Sequence, residues 1–240
     1  MEAFITRFFP ALALFFSLVL LPTPLFAKAE SPVLLQNVRI LDLSGPAPAL
    51  RPGQSILIDD GIIKAVGPVA EVAAPPAARV VDGGDRVAMP GLVDMHVHLW
   101  DEAALGAYLA QGVTTIRNAS GMPFHLRLAQ DISAGKIAGP RLITTGPILN
   151  GNGPNAQIIH QIVSSGEEAR AAVRAQHDAG YRRIKVYSNL SREAYEAVRD
   201  EAKALGMTVM GHSPEGVREP GMPQSRPFNI AFEELLDDEF

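Results

Sequence analysis

The sequence predicts an α/β protein in which a short β-rich leader precedes a series of alternating strands and helices. Three observations predict it. Before Met89 the apolar runs are short, β-branched and separated by turn residues. At Leu92 the texture changes to apolar runs alternating with longer amphipathic stretches. Those stretches carry helix caps at one end and glycines at the other, the pattern of βα units with a parallel sheet.

The first 29 residues read as a secretory signal peptide rather than as part of the fold. Met1–Arg7 is a short head, Phe8–Phe26 is almost wholly apolar, and Pro22 and Pro24 precede the small-residue run Ala27-Lys28-Ala29. An uncleaved membrane anchor is the alternative, although the run is short for a full span. The chain has no cysteine, which excludes disulfides, thiolate metal sites, a cysteine nucleophile and an acylated anchor. Export without cysteine fits a secreted bacterial protein, periplasmic or extracellular. A net charge of −5 offers no basic face for nucleic acid. The membrane is then a partner only during export, through the signal peptide.

Residues 30–89 are expected to form a small β-domain. Its strands are Leu34–Leu41, Ser55–Ile58, Gly61–Val66 after the turn Asp59-Asp60, and the pairs Arg79–Asp82 and Arg86–Met89 around Gly83-Gly84. Gly45–Pro52 and Ala73–Ala77 are expected surface loops. From residue 90 to residue 240 the units alternate. Leu92–Leu99 is a strand, and Asp101 caps a helix that runs to Gln111 and stops at Gly112. Val113–Arg117 is the second strand, Phe124–Ala134 a helix stopped by Gly135, and Arg141–Thr145 the third strand. Ser165 and Glu168 have capping-box spacing for a helix ending at Gly180. Arg183–Tyr187 is the fourth strand, Ser191–Leu205 a helix stopped by Gly206, and Thr208–Gly211 the fifth strand. Either a β/α barrel or a doubly wound sheet satisfies this order.

The chemistry concentrates in Met89-Pro90-Gly91-Leu92-Val93-Asp94-Met95-His96-Val97-His98. Side chains alternate along a strand, so His96 and His98 face one side. Two neutral imidazoles at a strand end can form half of a metal site. Asp94 faces the same way, deeper in the strand, and suits a structural hydrogen bond better than metal ligation. His125 and His177, inside helices, read as surface or interface residues. His160 suits a structural role, with substrate contact as the other option.

The run Pro90–His98 is similar to the signature of the metal-dependent amidohydrolase superfamily. Gly112-Val113-Thr114-Thr115, Gly139-Pro140-Arg141 and the Gly146–Pro154 loop resemble its imidazolonepropionase-like and prolidase-like branch. The resemblance implies a partial TIM-type (β/α)8 barrel, about five of eight βα units, preceded by part of a small β-sandwich. It implies that Lys185, in Ile184-Lys185-Val186-Tyr187, is carbamylated by CO₂ and that His212 is a further ligand. The metal set is then His96, His98, Lys185 as carbamate and His212, holding one or two divalent ions, Zn²⁺ by preference. Two such ions about 3.5–4 Å apart share a hydroxide and polarise a carbonyl. Asn150, Asn152, His160 and Tyr187 are the candidate substrate contacts. The substrate would be a small amide, lactam or dipeptide-like molecule cleaved at a C–N bond. Homo-oligomer formation is a further expectation.

The resemblance also places the family's general-base aspartate, and one more histidine, on later strands than the five found here. The complete barrel needs eight. The chain is therefore expected to be the N-terminal part of such an enzyme and to be inactive, or nearly so, by itself. A non-catalytic metal-binding or interaction protein is the second reading. A metal-free lyase using Lys185 as a Schiff-base amine is the third.

Overall fold

The computed structural model describes residues 31–215 together with Ile230 and Leu235. The signal-peptide reading of residues 1–29 lies outside the described residues. Two compact units divide between Met89 and Pro90.

The first unit is a mixed sheet of β1 (Val33–Asp42), β2 (Ala49–Asp59), β3 (Ile62–Pro68), β4 (Arg79–Asp82) and β5 (Val87–Ala88). Its order is β3-β2-β1-β4, with β5 also on β1. The β1–β2–β3 meander is antiparallel, and β4 and β5 join β1 in parallel. A second layer that would make a sandwich is not seen among the described residues. The expected loop Gly45–Pro52 is corrected in part, because Ala49–Pro52 belongs to β2. Proline lacks an amide N–H and ordinarily interrupts a ladder. Here the register shifts between Val38↔Gln54 and Ile40↔Arg51, so two β2 residues bulge out. Those residues are Pro52 and Gly53, and the positive φ of Gly53 makes the turn of the bulge.

The second unit alternates as its periodicity demands. Strands β6 (Leu92–Val97), β7 (Val113–Asn118) and β8 (Arg141–Thr144) form one parallel sheet in chain order. β11 (Arg183–Val186) and β12 (Thr208–Gly211) pair in parallel in a second sheet. Gly146 N donates to Arg183 O at 3.0 Å, which carries the chain-order sequence from the β8 end to β11. Two short strands were not anticipated, β9 (Leu149–Asn150) beside β11 and β10 (Gln161–Ile162) beside β9. The Gly146–Pro154 segment is thus partly sheet, with Leu149, Asn150 and Gly151 buried and Asn152 exposed.

The helices are α1 (Ala104–Ala110), α2 (Pro123–Ser133), α3 (Gly166–Asp178) and α4 (Arg192–Ala204). Ser165 Oγ accepts from Glu168 N at 3.2 Å, the expected N-cap, and Ser191 Oγ accepts from Ala194 N at 3.2 Å and caps α4 in the same way. Asp101 does not cap α1. Its Oδ1 accepts from Ala103 N at 2.8 Å and closes a turn one step earlier, after which α1 starts without a side-chain cap. One core packs Leu149, Val173, Ile184, Val186, Tyr195 and Val198 between the second sheet and α3 and α4, with Ile230 and Leu235 joining it. The other packs Val97, Leu99, Leu105, Ile116, Leu128 and Leu142 under α1 and α2. Each fully buried aliphatic or aromatic side chain contributes about 1.5–3 kcal/mol. This burial fixes which strand face turns away from the helices, and that face carries the polar side chains.

Candidate metal centre

Alternation along the strands builds the site. On β6, Val97 and the following Leu99 enter the helix-side core, so His96 and His98 project from the opposite face. Their ring centroids lie 5.4 Å apart. On β11, Ile184 and Val186 enter the other core, and Lys185 between them faces a cavity of about 610 Å³. On β12, Val209 packs against the core while Met210 and, past the strand end, His212 line the same cavity. Arg117 of β7, Ser213 and Glu215 complete the wall with His96.

The electrostatics are those of a cationic cluster. Lys185 is 1% exposed and forms no hydrogen bond or ion pair among the described residues. Burial, then the Arg117 guanidinium, holds its ammonium below the ordinary range. Burial lowers the imidazoles of His96, His98 and His212, and the charge of Lys185 lowers each of them further. Asp94 and Glu215 oppose that effect at His96 and His212 respectively. The Asp94 carboxylate accepts from His96 N at 3.1 Å, the structural hydrogen bond expected of it.

Donor chemistry fits a divalent metal. Three imidazoles, all favoured in the neutral form, offer ring nitrogens with no hydrogen-bonding partner among the described residues. Lys185 as an ammonium would repel a cation and fits only without its positive charge, as a neutral amine or as a carbamate. His96, Lys185 and His212 line the cavity, with His98 beside His96, and they do not close on one point: among the described residues no three His, Asp or Glu groups converge on a metal-sized position. The Tyr187 ring lies tilted against His212 with centroids 4.2 Å apart, and His160 lies tilted against Tyr187 at 4.9 Å.

The other sequence candidates separate here. Asn150 is fully buried, and its amide is committed inside the protein. Its Oδ1 accepts from Gly151 N at 3.0 Å and Asn189 N at 2.9 Å, and its Nδ2 donates to Asn155 O at 3.3 Å. His160 is buried beside it, and its Nδ1 accepts from Gln157 N at 3.2 Å. Tyr187 borders His212, and Asn152 is exposed in its loop. His177 lies at the surface, half-buried beside Asp178. His125 does not: it is fully buried, because its ring closes the first turn of α2 and reaches back to the end of β6. Sequence reasoning missed Arg117 and Asn118. A polar pair ending an apolar strand, at the height of the histidine pair, is the signal that could have found them.

Three relatives define the likeness. A prolidase-type protein from Bifidobacterium longum superposes with a TM-score of 0.66 at 29% identity, covering 78% of this chain and 50% of that one. A bottromycin amidohydrolase superposes with a TM-score of 0.63 at 28% identity, over 77% of this chain and 39% of that one. The fold is that of the amidohydrolase superfamily. A dihydroorotase from Geobacter sp. (strain M21) is 28% identical over 199 residues, which is 75% of this chain and 42% of the relative. The chain therefore spans half or less of the length of these amidohydrolase relatives. No protein-family model matches it.

The buried imidazoles outside the cavity make stability depend on pH. Burial holds His125 and His160 below the ordinary imidazole value of 6.5, only partly offset at His125 by its bond to Leu99 O. Below that value the unfolded chain binds protons that the folded chain still excludes. Stability is therefore full above about pH 6.5, falls as the pH drops through that window, and levels off below the folded values. The unfolding temperature is expected to decrease from about pH 7 to about pH 5, with a shallower decrease in H160N, whose amide can replace the Nδ1 acceptor. Identical slopes for the two proteins would remove His160 from the account.

Proposed function

We propose that the chain is the metal-binding part of a secreted, metal-dependent amidohydrolase that cleaves a C–N bond of a small amide, lactam or dipeptide-like substrate. The observation that carries the reading is the meeting of His96, Lys185 and His212, from three different strands, at one cavity, with His98 beside His96. In this reading His96, His98, His212 and carbamylated Lys185 hold one or two divalent ions, Zn²⁺ by preference. The bound metal supplies Lewis acidity toward the scissile carbonyl and lowers the pKa of water.

The chain's own residues have simpler tasks. Asp94 fixes the backbone of His96 through its amide. Arg117, tied to Met95 O at 2.7 Å through Nε, keeps a positive charge at the cavity wall. Tyr187 packs its ring on His212 and limits how far that imidazole can swing. The five βα units belong, in this reading, to a (β/α)8 barrel, and the leader sheet to a β-sandwich. Because the relatives are longer, hydrolysis is proposed for this chain or for a longer protein that contains it.

The test is a metal titration of the purified, chelator-stripped protein, followed by assay against Xaa-Pro dipeptides, N-acyl amino acids and cyclic ureides. One or two Zn²⁺ per chain, lost in H96A and H98A, is the expected result. Metal-dependent product formation identifies a hydrolase. Stoichiometric metal without turnover favours the non-catalytic metal-binding protein instead, and absence of stoichiometric metal ends both readings.

A further inference from the structure

The β6 ladder ends where the histidine pair does. Val97 is the last β6 residue in register with β7, opposite Asn118, and its carbonyl accepts from Ala119 N at 2.9 Å. His98 and Leu99 lie beyond the ladder, and two side chains hold Leu99 in its place. Asn118 Oδ1 accepts from Leu99 N at 2.9 Å, and His125 Nε2 lies 2.7 Å from Leu99 O. A carbonyl only accepts, so Nε2 carries the proton. Nδ1 is then the acceptor, and Met122 N donates to it at 2.9 Å.

Asn118 is anchored from its other end. Its Nδ2 donates to Ser120 O and Thr144 Oγ1, each at 3.1 Å, and faces His125 Nδ1 at 3.3 Å. Thr144 Oγ1 in turn donates to Thr145 O at 2.9 Å. Asn118 and His125 are both fully buried. Such a network is rigid when every member is satisfied, and these members are.

We propose that Asn118 and His125 are positioning residues that clamp the backbone on the far side of His98 and so fix the direction of its imidazole beside that of His96. The peptide before His98 is held by the ladder and the peptide after it by the clamp, which together fix the Cα–Cβ direction of His98. The proposal rests on the reading of His98 as a metal ligand. A ligand held only by its own strand would sweep through the small angles that metal affinity depends on.

The alternative is that the same bonds merely seat α2 against the sheet, and two substitutions separate the accounts. In H125Q the amide nitrogen of glutamine reaches roughly where Nε2 stood and keeps a donor for Leu99 O, while the bond from Met122 N is weakened. In H125N the shorter amide keeps the acceptor for Met122 N and abandons Leu99. Metal affinity is measured on the full chain by Co²⁺ absorption with Zn²⁺ competition, alongside thermal unfolding. H125N is expected to bind roughly 10- to 100-fold more weakly than the native protein, and H125Q within a few-fold of it, although both melt earlier. Native-like affinity in H125N overturns the clamp. Absence of metal binding in the native protein overturns the metal reading itself, and the clamp with it. If H125N does not fold, T144V removes one acceptor behind Asn118: a several-fold loss of affinity supports the proposal, and unchanged affinity overturns it.

Discussion

Replacing Lys185 with methionine is expected to lower Zn²⁺ affinity by more than about 10²-fold while the metal-free protein melts at the same temperature or higher. The two halves of this result have different origins. Loss of affinity follows from removing the one nitrogen at the cavity that can become an anionic bridge, a larger change than losing an outer hydrogen bond. Retained stability follows from the surroundings of Lys185, which is 1% exposed, has no carboxylate against it among the described residues, and feels the guanidinium of Arg117. A buried charge without a partner costs free energy, and an apolar side chain of similar length removes that cost. Were Lys185 one half of a buried ion pair, the same change would cost about 3–5 kcal/mol and lower the melting temperature. Melting curves with and without chelator, together with a Zn²⁺ competition titration, separate these outcomes. A destabilised K185M with native affinity would exclude Lys185 from the metal set.

The second large effect is expected at Gly211, the last ladder residue of β12 and the chain neighbour of His212. Gly211 sits opposite Val186, with φ of +151°, and His212 N donates to Val186 O at 3.1 Å. A Cβ at position 211 would overlap the Val186 carbonyl, which is backbone and cannot swing away. Gly211→Ala therefore combines a disfavoured φ with a steric clash, about 3 kcal/mol together. For a unit of this size that corresponds to a fall in melting temperature of about 6–12 °C. Because β11 also carries Lys185, forcing the two strands apart separates Lys185 from His212, and metal affinity is expected to fall with stability. An alanine variant that melts like the native protein would show that β12 can relax without cost.

Much of the fold could be read from period and punctuation. Ile184, Lys185 and Val186 alternate as a strand must, and the polar member of the three proved to face the cavity. His96 and His98 faced one side for the same reason. The Ser165 N-cap formed because a capping hydroxyl acts within a single turn, inside the range that sequence spacing encodes. The failures share the opposite property. His125 read as a surface residue because nothing within the α2 segment reveals that its ring reaches the carbonyl of Leu99, which belongs to another strand end. Asn118 was hidden likewise, since its partners Leu99, Ser120, His125 and Thr144 come from four segments. Pro52 marked a loop by its chemistry, and only the bulge completed by Gly53 makes it compatible with β2. Asn150 drew attention as a loop amide, and its commitment to Gly151, Asn189 and Asn155 depends on chain neighbours and distant residues at once.

The pairing order of the second unit has a consequence for how the molecule is made. β6, β7 and β8 each hydrogen-bond to the strand synthesised just before or after, and β11 and β12 do the same. Contacts between successive units close over short stretches of chain, so they can form while the ribosome is still extending it. The cavity is then furnished in the order of translation: His96 first, Lys185 next, and His212 last. At ordinary elongation rates the interval from first to last is on the order of ten seconds. The wall that joins these residues is therefore complete only when the last strand described, β12, has been made and paired with β11.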